Sequence, residues 1–312
     1  MSLSLRVERQ GATLKGFIAI LLWSCSLGLM RSITESFGAL VGGALIYSVS
    51  AVLIMLFQGV PNILRLNRVY LFGCGFLFVA YELMLSQAIG RADSHLQSIE
   101  LGLLNYAWPC LTILFAVLFG FQKNQLGLWL GALISFAGVF LAIAGGELSP
   151  ILFLNHMLEN PIAYSFAASA ALAWALYCNL VRRHGGGQNA IFYFFVIAAT
   201  TLWSIHWAEG GSPIMFHLNG CLELLMMGLC TALGYAFWDV GIQKGNMTML
   251  ASASYFTPLF STFLSSWWLH IPLAVTFWYA TLMVTFGSLI CWYSASRSEK
   301  AASTTDSAYA EN

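Results

Sequence analysis

Charge is what this chain has least of. Of its 312 residues, 13 are Lys or Arg and 13 are Asp or Glu, 8% in all, where a soluble domain carries about 25%. The chain is 59% hydrophobic with a mean hydropathy of +0.77. It cannot solvate its own surface in water, so the solvent for most of it is lipid. The formal net charge of zero says nothing about partners, because the charges are segregated along the chain. Membrane lipid is expected as a partner and nucleic acid is not.

Paired cysteines are missing too. Cys25, Cys74, Cys110, Cys178, Cys221, Cys230 and Cys291 form no CxxC and fall almost entirely in apolar runs. They read as small buried hydrophobes, not as disulfides or metal ligands. There is no HExxH, no nucleophile elbow, no phosphate loop and no His/Asp cluster. His95, His156, His184, His206, His217 and His270 are scattered near the ends of apolar segments. No catalytic residue, metal or cofactor is therefore expected, and a membrane-embedded enzyme is disfavoured. No Lys or Arg lies deep in an apolar run, which argues against carriage of phosphorylated sugars or nucleotides, since these call for buried cations.

What the chain has in abundance is long apolar runs. Ten segments approach the ~20 residues that cross a bilayer as helix: 14–33, 39–60, 69–89, 95–119, 126–145, 160–181, 190–208, 220–243, 248–268 and 273–295. The longest connection is 146–159, and 298–312 reads as a polar, disordered tail. The basic start followed by an apolar stretch superficially resembles a signal peptide. No small-residue cleavage site follows at "MRSITESF", so the segment is read as the first span.

Ten spans put Arg6, Arg9, Lys15, Arg65, Arg68, Lys123, Arg182, Arg183, Lys244, Arg297 and Lys300 on one side and only Arg31 and Arg91 on the other. By the positive-inside rule both termini are cytoplasmic. Arg31 and Arg182, near span ends, are expected to snorkel to the interface.

An internal repeat organises these spans. "NYAWP" (105–109) and "SYFTP" (254–258) share a Tyr and a Pro at an offset of 149, and Trp129 and Gly138 match Trp278 and Gly287 at the same offset. Trp23 and Arg31 match Trp174 and Arg182 at 151. The fold class predicted is therefore an all-α membrane protein of ten transmembrane helices in two five-helix repeats, 1–148 and 149–297. Five is odd, so the second repeat is inverted, an arrangement that places a substrate site near the midplane where the halves meet. Pro109 and Pro258 are the two prolines inside predicted spans. Each is expected to bend its helix and to free backbone carbonyls that need local partners.

Several side chains stand out against this apolar background. Asn105 and Trp108 share a helix face with Thr112. Asn105 fits either a ligand contact or interhelical glue, and Trp108 either a cavity wall or plain packing. Tyr47, Tyr81, Trp174, Tyr177, Tyr235 and Trp238 recur as aromatic stripes on several spans. Such stripes are usually packing, but phenol hydroxyls at membrane depth need partners, which points to an aromatic-lined cavity. Glu82, Glu100 and Asp239 are carboxylates inside spans. Each is a candidate to hold a substrate ammonium or relay a proton, or else to sit protonated against a neighbour. A proton antiporter would use such a group, whereas a facilitator would not. Glycines at four-residue spacing, such as Gly127 and Gly131, permit close helix crossings.

The runs "QSIELGLLNYAWPCLTILFAVLF" (97–119) and "WDVGIQKGNMTMLASASYFTPLFS" (238–261) resemble the drug/metabolite transporter superfamily. Within it they resemble the EamA-type aromatic amino-acid exporters of the bacterial inner membrane. The resemblance implies a ten-helix, basket-like carrier exporting aromatic and related amino acids by alternating access through a central cavity. It places "NYAWP" and "SYFTP", including Tyr106 and Tyr255, at that cavity. A broad-specificity drug or metabolite exporter on the same fold is the alternative, since fold does not fix substrate.

Overall fold

The computed structural model describes the backbone of residues 3–120, 122–184, 189–245, 250 and 253–310, with side chains at these positions except 3–7, 9, 182, 239, 242–244 and 296–310. Among the described residues every regular element is a helix. Nine stretches of the described residues are long and apolar enough to cross a membrane: Gln10–Phe37, Ala39–Gln58, Val69–Gly90, His95–Leu118, Leu126–Ile143, Pro161–Val181, Ile191–Ala208, Leu218–Trp238 and Val275–Ala295. The shorter helix Thr257–Trp268 lies between the last two. Large apolar side chains such as Phe57, Phe76, Leu133 and Phe286 face outward, as a lipid-solvated surface requires.

The first span is two helices, α1 (Leu3–Ser24) and α2 (Ser26–Phe37), broken at Cys25. The Ser24 hydroxyl donates back to the Ile20 carbonyl at 2.8 Å and the Cys25 thiol to Leu21. Such back-bonding competes with the helical ladder and bends it. Gly38 alone joins α2 to α3 (Ala39–Gln58), at φ +82° and ψ 160°, a conformation open essentially to glycine. After one turn of π-helix, α4 covers Gly75–Gly90.

The fourth predicted span divides into α5 (His95–Asn105) and α6 (Trp108–Leu118). Pro109 does not bend a continuous helix. It sits in the first turn of α6, where a missing N–H is tolerated. Next come α7 (Leu126–Ile143), α8 (Pro150–Glu159), α9 (Pro161–His184), α10 (Ile191–Ala208) and α11 (Leu218–Lys244). Finally α12 (Thr257–Trp268) carries Pro258 in its first turn, and α13 spans Val275–Ala310.

Two stretches read from sequence as irregular are helical. α8 occupies the long connection, with Ser149 capping its first turn through the Leu152 N–H and Pro150 at its start, the usual helix-entry chemistry. The backbone of 298–310 continues α13 rather than forming a disordered tail. A helix already nucleated extends at one hydrogen bond per residue, and the alanines at 301, 302, 308 and 310 favour it.

Arg31 also departs from expectation. It is buried, not snorkelled, and donates to the carbonyls of Ile89 and Ala92 beyond the end of α4 and to Glu35 at 2.8 Å. A cation there complements the negative end of the α4 dipole. The Arg182 side chain lies outside the described residues.

The tightest seam joins α7 to α13. A Cβ on Gly131 would fall 2.6 Å from the Gly287 carbonyl oxygen, and one on Gly287 would fall 2.5 Å from that of Gly131. The two backbones touch reciprocally, as small residues allow between membrane helices. The main core cluster lies instead among α2, α3, α4, α9 and α10, which together form about half of the walls of the cavity described next.

Candidate functional site

A cavity of about 320 Å³ opens between the helices, within the usual range for a small-molecule site. Its walls are aromatic because tyrosines and tryptophans recur at helical spacing on the inner faces of separate helices. Trp23 of α1 packs against Tyr235 and Trp238 of α11, with ring centroids 5.3 Å apart in both pairs. Opposite, Tyr81 of α4 lies 4.5 Å from Trp174 of α9, and Trp108 of α6 meets the same indole edge-on at 6.3 Å. Phe78 joins the two groups, touching both Trp174 and Tyr235. Paired rings in these geometries add about 0.5–1.5 kcal/mol each beyond their buried area, so the walls are held in place without a ligand.

The polar part of the lining is small. Tyr47 of α3 is fully buried and donates its hydroxyl to the Glu82 backbone carbonyl at 2.6 Å, tying α3 to α4. The Glu82 side chain is itself on the lining, 8% exposed. It takes part in no ion pair among the described residues. The Tyr47 hydroxyl lies against its carboxyl group as well. A carboxylate without a cationic partner at membrane depth is costly, so its place on a cavity, where an incoming group can meet it, is informative. Asn105 is 4% exposed, and its Oδ1 has no hydrogen-bond partner among the described residues. A buried acceptor left so costs about 1–3 kcal/mol. Asn105 also lines the cavity, beside Tyr106 and Trp108.

Of the residues singled out from sequence, Tyr47, Tyr81, Asn105, Tyr106, Trp108, Trp174, Tyr235, Trp238 and Glu82 come together on this lining. Tyr177 does not. It stacks behind Trp174 at 4.8 Å and meets Phe78 from the side. Tyr255 is also off the lining, 6.2 Å from Trp292. Its neighbours Ser254 and Thr257 take its place. Glu100 lies elsewhere, accepting a 2.7 Å hydrogen bond from Tyr164 that links α5 to α9. The Asp239 side chain lies outside the described residues.

The sequence reading did not single out Trp23, Met30, Phe195 and Met227 as lining residues. For Trp23 a signal existed, because Trp174, which matches it at an offset of 151 in the sequence, was already a candidate. For the methionines and Phe195 there was none, since an apolar side chain in an apolar span carries no mark of the face it presents.

Comparison with known proteins agrees with this architecture. The EamA-like transporter family matches residues 161–293. The aromatic amino acid exporter YddG of Escherichia coli (strain K12) is 38% identical over 292 residues, covering 93% of this chain and 100% of that protein. YddG of Salmonella typhimurium (strain 14028s / SGSC 2262) is 38% identical over 289 residues, covering 92% and 99%. YddG of Ancylobacter novellus is 28% identical over 268 residues, covering 83% and 88%. A solved crystal structure with 26% identity superposes with a TM-score of 0.64 over 93% of this chain and 99% of that one. Identity sustained along whole curated relatives, with the family match in the second half, shows that the chain belongs to the EamA-like transporter family of multi-pass membrane transport proteins.

Proposed function

We propose that this protein exports aromatic and related amino acids across a bacterial inner membrane, working by alternating access through the central cavity. The observation that carries the reading is the cavity itself: a box of indole and phenol rings of about 320 Å³, with Glu82 and Asn105 as its polar end. The substrate ring stacks among Trp23, Trp108, Trp174 and Trp238. Its ammonium meets Glu82 and Asn105, and its carboxylate takes neutral donors from Tyr81, Tyr106 and Tyr235. Tyr177 backs Trp174, and Tyr255 steadies the turn before α12. Two inverted repeats, 1–148 and 149–297, form the rocking halves of a ten-helix basket in which α12 and the residues before it make the tenth span. Both termini are cytoplasmic, as the distribution of Lys and Arg supports. Pro109 and Pro258 mark where each half carries a broken helix, the kind of segment that builds midplane sites in repeat transporters. We assign any coupling to protons to Glu82, because it lines the cavity and Glu100, held by Tyr164, does not. The names of the curated relatives support the substrate class.

The test is uptake of labelled phenylalanine into liposomes containing the purified protein, with unlabelled tryptophan, leucine, alanine and tetraphenylphosphonium as competitors, with and without a pH gradient. Uptake blocked by tryptophan and not by the lipophilic cation is expected. No uptake above empty liposomes overturns the reading. Inhibition by tetraphenylphosphonium alone favours a broad-specificity exporter, a reading to which the unpaired Glu82 among aromatic rings also lends itself.

A further inference from the structure

We propose that the cavity recognises its ligand through the ammonium group and offers the carboxylate only neutral donors and no cationic partner, so that aromatic monoamines are ligands of this transporter at least as good as aromatic amino acids. The proposal rests on the reading above, that substrate occupies this cavity.

Three observations carry it. First, the charge of the lining has one sign. Glu82 is the one carboxyl side chain among the described lining residues, and no Lys, Arg or His is present there. Second, the lining offers an ammonium a buried side-chain acceptor with no partner. Asn105 Oδ1 is buried, on the cavity and without a partner. The Asn105 backbone carbonyl has also lost its helical donor, because Pro109, four residues on, has no N–H. An ammonium brings three donors and no acceptor, which is the complement of this surface. Third, several lining hydroxyls are already committed to protein carbonyls. Tyr47 donates to Glu82, Thr231 to Met227 at 2.9 Å, and Thr257 to Ser254 at 2.6 Å.

A carboxylate entering this box therefore meets neutral indole and phenol donors, the electron-rich faces of four tryptophans and the like charge of Glu82. The same ring faces attract a cation. Burying a carboxylate without a cationic partner costs free energy, and removing it from the ligand removes that cost.

The experiment measures binding to the purified full-length protein in nanodiscs by intrinsic tryptophan fluorescence, since Trp23, Trp108, Trp174 and Trp238 line the cavity. A binding readout also avoids passive permeation of the amines. The ligands are phenylalanine, 2-phenylethylamine and 3-phenylpropionate, which is phenylalanine without its amine. Labelled phenylalanine counterflow in proteoliposomes is measured in parallel. The expected result is a Kd for the amine at or below that for phenylalanine, with the acid at least tenfold weaker than the amine. Glu82→Gln should weaken the amine at least tenfold, and Glu82→Asp should restore part of that loss.

An acid that binds as tightly as the amine, or an amine more than tenfold weaker than phenylalanine, overturns the proposal. If counterflow persists in that case, the exporter reading survives. Amine binding with no phenylalanine counterflow does the reverse: it overturns amino-acid export and supports the ammonium site. The wild-type comparison of amine and acid needs no variant to fold.

Discussion

Two turns occupy matching places in the chain, "NYAWP" before α6 and "SYFTP" before α12, and they solve the same problem differently. Each proline begins a new helix and withholds an N–H from the carbonyl four residues back. In the second turn that carbonyl belongs to Ser254, and the Thr257 hydroxyl donates to it at 2.6 Å. In the first turn the carbonyl belongs to Asn105, and the residue matching Thr257 is Trp108, which has no hydroxyl. Asn105 Oδ1 is left without a partner as well. The Ser254 carbonyl has its donor in the second turn, whereas the first leaves the Asn105 Oδ1 on the cavity with a ring beside it. An unsatisfied buried acceptor is a liability in a scaffold. Here it lies where a ligand can relieve it.

That contrast can be broken from either side. The largest effect is expected at the first turn's acidic neighbour. Glu82→Gln should lower phenylalanine transport at least tenfold at subsaturating substrate, read by counterflow, because a charge-assisted contact is lost. Asn105→Leu should cost nearly as much transport while shifting the thermal midpoint of the purified protein little, since its Oδ1 has no partner and only the contact of its amide with the Tyr81 hydroxyl is lost. A large fall in that midpoint would make Asn105 structural. Trp108→Ala should weaken transport of phenylalanine and tryptophan severalfold more than that of alanine, and equal losses would show that Trp108 only packs. Thr257→Val should do the opposite of Asn105→Leu, destabilising the protein by about 1–2 kcal/mol through an unmet carbonyl, with a smaller change in transport. Smallest of all on transport should be Tyr164→Phe. It removes the donor to Glu100 and should lower stability by about 1 kcal/mol, leaving phenylalanine counterflow within twofold of wild type.

The legibility of the site divides along the same line. Side chains that are anomalous in an apolar span, such as Glu82, Asn105 and the stripes of Tyr and Trp, could be picked out because the bilayer makes each of them expensive or conspicuous. The repeat offset made Pro109 and Pro258 a pair before any coordinates. Partnerships were not legible. Glu100 looks as exceptional in sequence as Glu82, yet Tyr164, 64 residues away, satisfies it. Arg31 sits near a span end like a snorkelling residue, yet it caps α4 from α2. Both depend on contacts distant in sequence, which periodicity does not encode. The break at Cys25 was invisible for a different reason. It coincides with back-bonding by Ser24 and Cys25, and two serines in an apolar span do not by themselves mark a break.

The single-residue joint at Gly38 has a mechanical consequence. α2 and α3 cannot slide far past each other across one residue, and their first contact is tight, since a Cβ on Gly42 would fall 3.1 Å from the Thr34 Cα. α3 is fastened in turn to α4, by Tyr47 on the Glu82 carbonyl and by Gln87 on the Ala39 carbonyl at 3.0 Å. Met30, Tyr47 and Glu82 thus ride on one stiff panel. The cavity has fewer degrees of freedom than it has helices, and a displacement felt at the ring-binding side of this panel reaches the carboxylate as a rigid translation.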